Sequence, residues 1–382
     1  MRNKKKIAII STVPLMIFFF LRNHIKYLIR DYEVTIITNV KVNTEILNQF
    51  DNRIKIEHIP FKREIHLIFD TISLILLLKL FFRTGYDVIY SISPKAGLLS
   101  MLSGKICRIP VRINNFTGQQ WIIKKGLIKK IIKFVDKSTA NLATINIVDG
   151  YSQQKFLISE KIITRKNSKV ILYGSICGVD LNKFKPDINN RIKIRKKLNI
   201  QLNEIVFIYL GRINKNKGIE KIAYCFENLL KKYKNMTLLL VGPDEDKITE
   251  KLRNKFINDE KLKIVPFTKN PEIYFQASDV FCTLSNKEGF GNSVIEAGSC
   301  GLPSIGSDIY GLRDSIIHDE TGYLVNRDND IEISKYFEKM LNNNNLIPEL
   351  GKNAMIRSKK LFDQDKISSE LIKYINNQIN LM

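Results

Sequence analysis

Short apolar stretches alternate with segments of helical periodicity up to about residue 175. In the helical segments apolar residues recur every three or four positions, whereas the stretches between them are rich in Ile and Val. Strands that alternate with helices in this way predict a parallel sheet covered by helices. The predicted strands are KIAII (6–10), EVTIITN (33–39), DVIYSIS (87–93), VRINNFT (111–117) and VIL (170–172).

The same alternation restarts after a polar segment, GVDLNKFKPDINNR, that contains Pro186. A chain of 382 residues is also longer than one ordinary core supports. The pattern therefore predicts two consecutive parallel α/β domains joined near residues 178–190, and it leaves the order of the strands open. The later predicted strands are EIVFIYLGRI (204–213), MTLLLVGP (236–243), LKIVPF (262–267), DVFCTLS (279–285) and LPSIGSD (302–308), and helical patterns at 330–342, 345–361 and 364–380 close the chain.

Two apolar stretches resemble membrane segments. The first, MRNKKKIAIISTVPLMIFFFL (1–21), has the basic start of a signal peptide, but no small-residue cleavage site follows and Ser11, Thr12 and Pro14 interrupt it. We expect a strand, a turn and a helix there. The second, LIFDTISLILLLKLFFR, contains Asp70 and Lys79, and the run between them is shorter than the roughly 20 apolar residues that span a bilayer.

The chain is strongly basic, with 61 Lys and Arg against 38 Asp and Glu and a formal net charge of +23. Either the lysines are solvated surface residues, or the protein meets a polyanion such as a nucleic acid, an anionic membrane or a phosphorylated substrate. No nucleic-acid-binding motif is present, and we expect no nucleic-acid partner. Five scattered cysteines without a C-x-x-C pattern are typical of a reducing cytoplasm.

The stretch SNKEGFGNSVIEAGSCGLPSIG (285–306) carries the most specific chemistry. A predicted strand leads into a glycine turn and then into a helix, and the N-terminus of a helix attracts anions. Glu288 and Glu296 lie eight positions apart on either side of the turn. Ser293 and Glu296 also match a capping box, in which Glu296 would only satisfy its own helix. That alternative does not account for Glu288.

A second candidate follows the strand EIVFIYLGRI. Arg212 and Lys217 frame a turn at the predicted carboxyl edge of the sheet. A guanidinium binds two oxygens through its planar fork and an ammonium acts as a point charge, so this pair suits a diphosphate. The phosphate-binding signature G-x-x-x-x-G-K-[ST] does not occur, and GFGNSV lacks the third glycine of a dinucleotide fingerprint.

The whole chain resembles the retaining glycosyltransferases of family 4, which have the GT-B fold. The matching pieces are GRINKNKG, GVDLNKF, EGFGNSVIEAGSCGLPSIGSD, GLRDSI and TGYLV, and the glutamate pair is the most specific of them. SPKAGLL and NNFTGQQW resemble the subset that builds O-antigen or capsule. The resemblance implies two facing Rossmann-like domains: residues 1–180 for the acceptor, residues 190–363 for the nucleotide sugar, and a helix at 364–382 that returns to the first.

The resemblance also implies roles for individual residues. Arg212 and Lys217 would contact the diphosphate, Glu288 would face the donor sugar, and Glu296 would accept hydrogen bonds from the ribose. The turn and the start of its helix would hold the donor through backbone amides, those of Phe290, Gly291 and Asn292 on sugar hydroxyls and those of Ser293 and Val294 on phosphate. Such a site accelerates the reaction by positioning and charge stabilisation, and no cofactor is implied.

The sequence departs from the family on the acceptor side. Many relatives carry a histidine after the strand that here is VRINNFT, whereas this chain has Asn114 and Asn115 there. The acceptor-side candidates are therefore Asn114, Asn115 and Thr117. The four histidines of the chain lie elsewhere and are expected to be structural or on the surface.

Asp244, Glu245 and Asp246 imitate the D-x-D that holds a divalent ion in the other major glycosyltransferase fold. The same pattern recurs at 328–330 and 363–365, so chance explains it, and no metal site is predicted. Arg212 and Lys217 would neutralise the phosphates instead.

The hypothesis is a retaining hexosyltransferase that uses a nucleotide-diphosphate sugar, UDP-linked and of the N-acetylhexosamine type, and an undecaprenyl-diphosphate-linked glycan acceptor. Two alternatives remain: a nucleotide-sugar 2-epimerase on the same scaffold, and a non-catalytic partner that binds nucleotide sugar. The expected location is the cytoplasm, peripheral at the inner face of the plasma membrane. There the lysine-rich segment WIIKKGLIKKIIKFVDK (121–137) is either an interfacial helix on anionic lipid or an ordinary surface helix.

Overall fold

The computed structural model describes residues 4–62, 64, 66–256, 259–343 and 345–381. The chain forms two compact units. The first comprises residues 1–177 together with 364–382, and the second comprises residues 178–363.

The first unit is built on a seven-stranded parallel sheet of order β3-β2-β1-β4-β5-β6-β7. Its strands are β1 (Lys5–Ile10), β2 (Tyr32–Thr38), β3 (Lys55–His58), β4 (Val88–Ser91), β5 (Val111–Phe116), β6 (Ile145–Val148) and β7 (Ser168–Val170). Its helices are α1 (Pro14–Asp31), α2 (Thr44–Leu47), α3 (Leu67–Thr84), α4 (Pro94–Ile106), α5 (Gly126–Leu142) and α6 (Tyr151–Ser159), with a 3-10 turn at Gln120–Ile123.

The second unit is built on a six-stranded parallel sheet of order β10-β9-β8-β11-β12-β13. Its strands are β8 (Ile205–Leu210), β9 (Met236–Val241), β10 (Leu262–Val265), β11 (Val280–Thr283), β12 (Ser304–Ser307) and β13 (Gly322–Val325). Its helices are α7 (Ile188–Lys197), α8 (Ile219–Leu230), α9 (Ile248–Lys255), α10 (Glu272–Gln276), α11 (Asn292–Ser299), α12 (Tyr310–Arg313), α13 (Asp330–Asn342) and α14 (Leu346–Leu361), with 3-10 turns at Lys215–Lys217 and Asp259–Lys261.

The prediction of two parallel α/β folds is confirmed. Strand β9 shows why its sequence is a continuous apolar run rather than an alternating one. Leu238 and Leu240 pack into the core on one face of the sheet, and Leu239 and Val241 pack into the core on the other. Because helices cover both faces of a parallel sheet, every side chain of such a strand is buried.

Four strands differ from the sequence prediction. β3, β6 and β13, of four residues each, were not predicted. The strand predicted at 170–172 instead ends at Val170. Leu172 has a φ of 50°, a left-handed backbone conformation that a strand cannot contain.

The last helix, α15 (Gln364–Asn380), returns to the first unit and packs against α1. Ile367, Leu371 and Ile375 join the same apolar core as the inward face of α1. The buried imidazole of His24 on α1 bonds Ser368 Oγ at 2.8 Å and the carbonyl of Ile176 at 2.7 Å. His24 therefore ties α15 to α1 and to the segment that leaves the first unit.

The N-terminal apolar run forms β1, a turn and α1, as predicted. Its residues Ile17, Leu21 and Ile25 are buried in the core of the first unit. Among the helices in the described part of the chain, none has the length and apolar character that crossing a membrane requires.

The burial of His24 predicts a dependence of stability on pH. Loss of hydration lowers the pKa of His24 from 6.5 to about 4, so the folded protein holds this imidazole neutral while the unfolded chain protonates it below about pH 6.5. The contribution of His24 to stability is therefore complete above pH 6.5 and declines as the pH falls toward 4.

Urea unfolding of wild type and His24→Gln at pH 7.5 and pH 4.5 tests this. We expect the variant to be less stable at pH 7.5 and the difference in unfolding free energy to shrink by about 2 kcal/mol at pH 4.5. His318→Gln, at a partly exposed histidine of the second unit, is the matched control. A pH-independent difference for His24→Gln would contradict the expectation.

Candidate active site

The candidate site lies at the carboxyl edge of the six-stranded sheet, between β8 and β11. The strand order reverses direction at this pair, because β9 and β10 lie to one side of β8 and β12 and β13 lie beyond β11. Loops that leave adjacent parallel strands on opposite sides of such a point form a crevice, where open α/β sheets bind ligands. The loop with Arg212 and Lys217 follows β8, and the glycine turn follows β11.

The loop after β8 is held close to the end of β11. Gly218 has a φ of 71°, and a Cβ on it would lie 2.1 Å from the carbonyl oxygen of Leu284, so no larger residue fits. The amide of Asn286 also donates to the carbonyl of Asn216 at 2.8 Å. The side chain of Asn214 caps the 3-10 turn that carries Lys217. These contacts fix the backbone of Lys217 against the glycine turn.

Two of the predicted site residues, Lys217 and Glu288, are in direct contact. The Lys217 Nζ lies 2.5 Å from Glu288 Oε1, and the hydroxyl of Ser285 donates to the same oxygen at 2.7 Å. Both charged side chains are about one-fifth exposed, so solvent screens their attraction only partly. Lys217 and Glu288 thus orient each other through Oε1 of the carboxylate. The sequence analysis did not identify Ser285.

Arg212 lies at the outer end of the same loop and pairs with Glu245. Its Nη1 is 3.1 Å and 3.3 Å from the two oxygens of Glu245, and the amide of Asn214 donates to Glu245 at 2.8 Å. Within the described residues, these hydrogen bonds engage Nη1 alone and leave Nε and Nη2 of the guanidinium for another acceptor. Glu245, which the sequence suggested only as part of a chance D-x-D, therefore positions Arg212.

The acidic residues on either side of Glu245 accept hydrogen bonds from backbone amides. The carboxylate of Asp244 accepts hydrogen bonds from the amides of Ile248 and Thr249, which lowers the pKa of Asp244, and Asp246 accepts from the amide of Lys215. Over the residues that the structure describes, no group of three or more His, Cys, Asp or Glu side chains has an arrangement that would hold a metal ion. The acidic segment thus braces the loop after β8.

The glycine turn leads into α11, whose N-cap is Gly291. Gly291 has a φ of 76°, and a Cβ there would lie 2.5 Å from the side chain of Leu312 on α12. The left-handed conformation favours glycine at this position, and a Cβ would also displace the side chain of Leu312. The helix has no side-chain cap, so the capping box of Ser293 and Glu296 is not formed.

The predicted donor-binding residues lie along this turn. Phe290 is buried and packs edge-on against Phe362, which anchors the turn. The backbone of Asn292 and Ser293 begins the helix, and the amide of Val294 donates to the carbonyl of Gly291 at 2.9 Å. A phosphate at this helix N-terminus would share the Val294 amide with that carbonyl.

Glu296 is partly buried, and no described residue donates a hydrogen bond to its carboxylate. Its burial raises its pKa from 4.5 to about 7; Lys183 opposes this rise and Glu272 adds to it. The nearby Lys183 pairs with Glu272 at 3.3 Å. A partly desolvated carboxylate that lacks protein donors is available to accept hydrogen bonds from a ligand.

The acceptor-side candidates lie in the first unit, at the carboxyl end of β5. Asn114 and Thr117 line a pocket together with Gln119, Asp136 and Thr139. Asn114 is buried, and no described residue forms a hydrogen bond with its side chain. The pocket is therefore polar and has an unused amide in its wall.

Asn115 lines the same pocket, but its amide is engaged. It accepts a hydrogen bond from Tyr90 Oη at 2.9 Å and donates to Asp149 Oδ1 at 2.9 Å. Burial raises the pKa of Asp149 to about 7 and that of Asp136 to about 6. Asp149 follows β6, a strand that the sequence analysis missed, so this carboxylate was not identified there.

Known proteins resemble this chain in sequence and in fold. Residues 190–357 match the family model "Glycosyl transferases group 1". The chain is 28% identical over 383 residues to the capsular polysaccharide biosynthesis glycosyltransferase CapM of Staphylococcus aureus, covering 98% of both chains. It is 28% identical over 302 residues, 76% of both chains, to the Escherichia coli UDP-Gal:alpha-D-GlcNAc-diphosphoundecaprenol alpha-1,3-galactosyltransferase.

Among solved structures, Alr3699/HepE of Anabaena in complex with UDP and glucose has the same fold. Its TM-score is 0.81 at 17% sequence identity, and the alignment covers 97% of this chain and 99% of that one. The seven- and six-stranded parallel sheets, and the helix that returns to α1, are those of the GT-B fold. The chain belongs to the group 1 glycosyl transferases, family 4 of the glycosyltransferases, and is an enzyme of that class.

Proposed function

We propose that this glycosyltransferase transfers a hexose-type sugar, with retention of configuration, from a UDP-linked donor to an undecaprenyl-diphosphate-linked glycan. The donor sugar we favour is an N-acetylhexosamine, and the pathway is bacterial O-antigen or capsule synthesis. The names of two relatives support this class, since one acts in capsular polysaccharide synthesis and the other on a GlcNAc-diphosphoundecaprenol.

The observation that carries the proposal is the contact between Lys217 and Glu288 at the point where the strand order reverses. A cation and a carboxylate held 2.5 Å apart suit a donor that presents a diphosphate beside a sugar. Lys217 would face the phosphate and Glu288 the sugar, while Arg212 reaches the other phosphate through its free nitrogens. The carboxylates and the cations would therefore bind different parts of the donor. The carboxylates would accept hydrogen bonds from hydroxyl groups, and the cations would neutralise the negative charge of the phosphates.

In the proposed reaction the bond between the anomeric carbon and the diphosphate oxygen breaks, and UDP leaves with the electron pair. The acceptor hydroxyl forms the new bond on the same face, and its proton passes to the departing phosphate oxygen. Arg212 and Lys217 stabilise the negative charge on UDP, and Glu288 stabilises the positive charge at the anomeric carbon. The amides at the start of α11 hold the donor in place.

Glu296 would bind the ribose of the nucleotide. Its carboxylate has no hydrogen-bond donor among the described residues, and ribose supplies two hydroxyl donors. Such charged hydrogen bonds contribute about 1.5–3 kcal/mol each. The ligand would thus supply the hydrogen-bond donors that the partly buried carboxylate of Glu296 lacks in the free protein.

The first unit would bind the acceptor through the pocket beside β5. The free amide of Asn114 and the hydroxyl of Thr117 would contact the acceptor glycan, and Asn115 would hold the loop through Tyr90 and Asp149. We assign acceptor binding to residues 1–180 and nucleotide-sugar binding to residues 190–363. Because the acceptor is lipid-linked and the donor is a cytoplasmic nucleotide sugar, we place the enzyme at the inner face of the plasma membrane.

The primary test is acceptor-dependent release of UDP. Purified protein is incubated with UDP-linked hexoses or N-acetylhexosamines, with and without a short-chain polyprenyl-diphosphate glycan, and UDP and products are measured. We expect release only with the acceptor present. Conversion of the sugar without release would indicate an epimerase, and binding without either would indicate a non-catalytic partner.

The stereochemistry and the metal requirement form one prediction. Arg212 and Lys217 supply the positive charge at the diphosphate, so we expect an α-linked product from an α-linked donor and a rate that EDTA leaves unchanged. NMR of the product and initial rates with and without chelator measure both. An inverted product, or complete loss of rate on chelation, would contradict the assignment of these two residues.

Glu288→Gln separates sugar positioning from nucleotide binding. The amide keeps the size of the side chain but removes the anion near the anomeric carbon, so turnover should fall at least 100-fold, whereas UDP affinity should change less than threefold. Calorimetry with UDP and steady-state kinetics give the two numbers. Glu320→Gln, at an exposed glutamate, is the control. A variant with normal turnover would remove Glu288 from the mechanism.

Glu296→Gln should weaken the donor complex and stabilise the free protein. The folded-state pKa of about 7 lies above the unfolded value of 4.5, so the charged form costs stability as the pH rises from 4.5 through 7. At pH 7.5 we expect UDP affinity lower by about 1.5–3 kcal/mol and a free protein more stable by roughly 1–3 kcal/mol. Calorimetry and urea unfolding measure these, and unchanged affinity would limit Glu296 to a structural role.

A further inference from the structure

Helix α5 exposes a row of large apolar side chains. Leu127, Ile128, Ile131 and Phe134 are between 49% and 71% exposed, and all lie in the N-terminal half of the helix. A surface helix ordinarily turns such residues toward the core. In α5 the buried positions are Asp136, Thr139 and Ala140 instead, so the apolar row of this helix has no partner within the described chain.

Helix α3 has the same property. Leu67, Ile68, Ile75 and Phe82 are between 58% and 80% exposed, while its inward face packs through Leu77, Leu80 and Phe81 into the core. The helix is therefore apolar on both sides. The sequence of this helix resembles a membrane segment but was judged too short to span a bilayer, and the structure buries only one of its faces.

The two helices belong to one layer of the first unit. Both α3 and α5 pack against α4, which lies between them on the sheet. Since helices in a parallel α/β unit run opposite to the strands, the N-termini of α3 and α5 lie at the carboxyl edge of the sheet. The pocket with Asn114 and Thr117 opens at that same edge.

The exposed charges along α3 and α5 are positive. Around the row on α5, five lysines are exposed: Lys124, Lys125, Lys129, Lys130 and Lys137. The acidic residues of the two helices are both engaged, Asp70 in an ion pair with Lys95 at 2.9 Å and Asp136 in a buried hydrogen bond from Trp121. The layer thus presents apolar side chains among uncompensated positive charges.

This combination determines the class of partner. Two copies of the chain that met through this face would bring their lysine rows together and repel each other. An anionic lipid surface instead accepts apolar side chains below its headgroups and attracts lysines at their level. Exposed apolar patches of this kind are unusual on a protein surface that contacts only water.

We propose that the exposed faces of α3 and α5 together form a lipid-insertion surface, here named the α3–α5 surface. Leu127, Ile131 and Phe134 enter the outer acyl region of an anionic leaflet, and the lysines of α5 contact phosphate headgroups. The inference rests on the proposed function in one respect: it places the carboxyl edge of the first sheet, with its acceptor pocket, at the membrane that holds a lipid-linked acceptor.

The test is binding of the full chain to sedimented vesicles of phosphatidylcholine alone or with 30% phosphatidylglycerol, at two salt concentrations. We expect the wild-type protein to bind the vesicles that contain phosphatidylglycerol at least tenfold more tightly than vesicles of phosphatidylcholine alone. Leu127→Gln/Phe134→Gln and Leu67→Gln/Ile68→Gln should each lower this affinity at least fivefold. Lys129→Gln/Lys130→Gln should lower it and reduce its salt dependence.

The matched control is Ile331→Gln, which removes an equally exposed apolar side chain from the second unit and should bind as wild type does. Equal, weak binding of the wild-type protein to both vesicle types would overturn the proposal. A wild-type dimer in light scattering that becomes a monomer in the α5 variant would also overturn it. Loss of affinity in the lysine variant alone would overturn the insertion of the apolar rows.

A second measurement, the rate of sugar transfer, tests the lipid-insertion proposal separately from the proposed function. All variants of the α3–α5 surface should transfer sugar to a short-chain, water-soluble acceptor at the wild-type rate. Vesicle binding without sugar transfer to any acceptor would contradict the proposed function but not the lipid-insertion surface. Sugar transfer without vesicle binding would contradict the lipid-insertion surface but not the proposed function.

Discussion

The parallel pairing of β8 with β11 is the constraint on which the site depends. The two strands are far apart in sequence, yet their loops leave the same sheet edge side by side, because the strand order reverses between them. The close contact of Gly218 with the carbonyl of Leu284 then sets the distance between the loops. The ion pair of Lys217 and Glu288 is a consequence of that backbone contact.

The carboxylates around this anion site fall into two kinds. Glu288 and Glu245 each lie against a cation, Lys217 and Arg212, and hold that cation in place before any ligand arrives. Pre-oriented charges lower the reorganisation that binding and transfer require. Glu296 instead has no donor among the described residues, and partial desolvation raises its pKa to about 7. A carboxylate in this state can accept hydrogen bonds from a ligand.

The first unit shows a different use of exposed chemistry. Its core and its buried histidine hold α15 to α1, whereas the opposite layer leaves apolar side chains of α3 and α5 uncovered. An apolar residue on a helix contributes to folding only where a neighbour covers it. The uncovered rows therefore contribute little to the stability of this unit in water. Helix α5 also lines the polar pocket of Asn114, through Asp136 and Thr139.

Local chemistry in the sequence determined much of this protein. The alternation of strands and helices predicted two parallel α/β units, and Gly291 with its flanking glutamates indicated the candidate site, because turn geometry and helix starts depend on neighbouring residues. The sequence could not show that Glu245 holds Arg212, that Asn115 is occupied by Tyr90 and Asp149, or that the capping box of Glu296 is absent. It also could not tell which face of α5 is buried. Those features depend on strand order and on contacts between segments distant in the chain, and only the tertiary structure decides them.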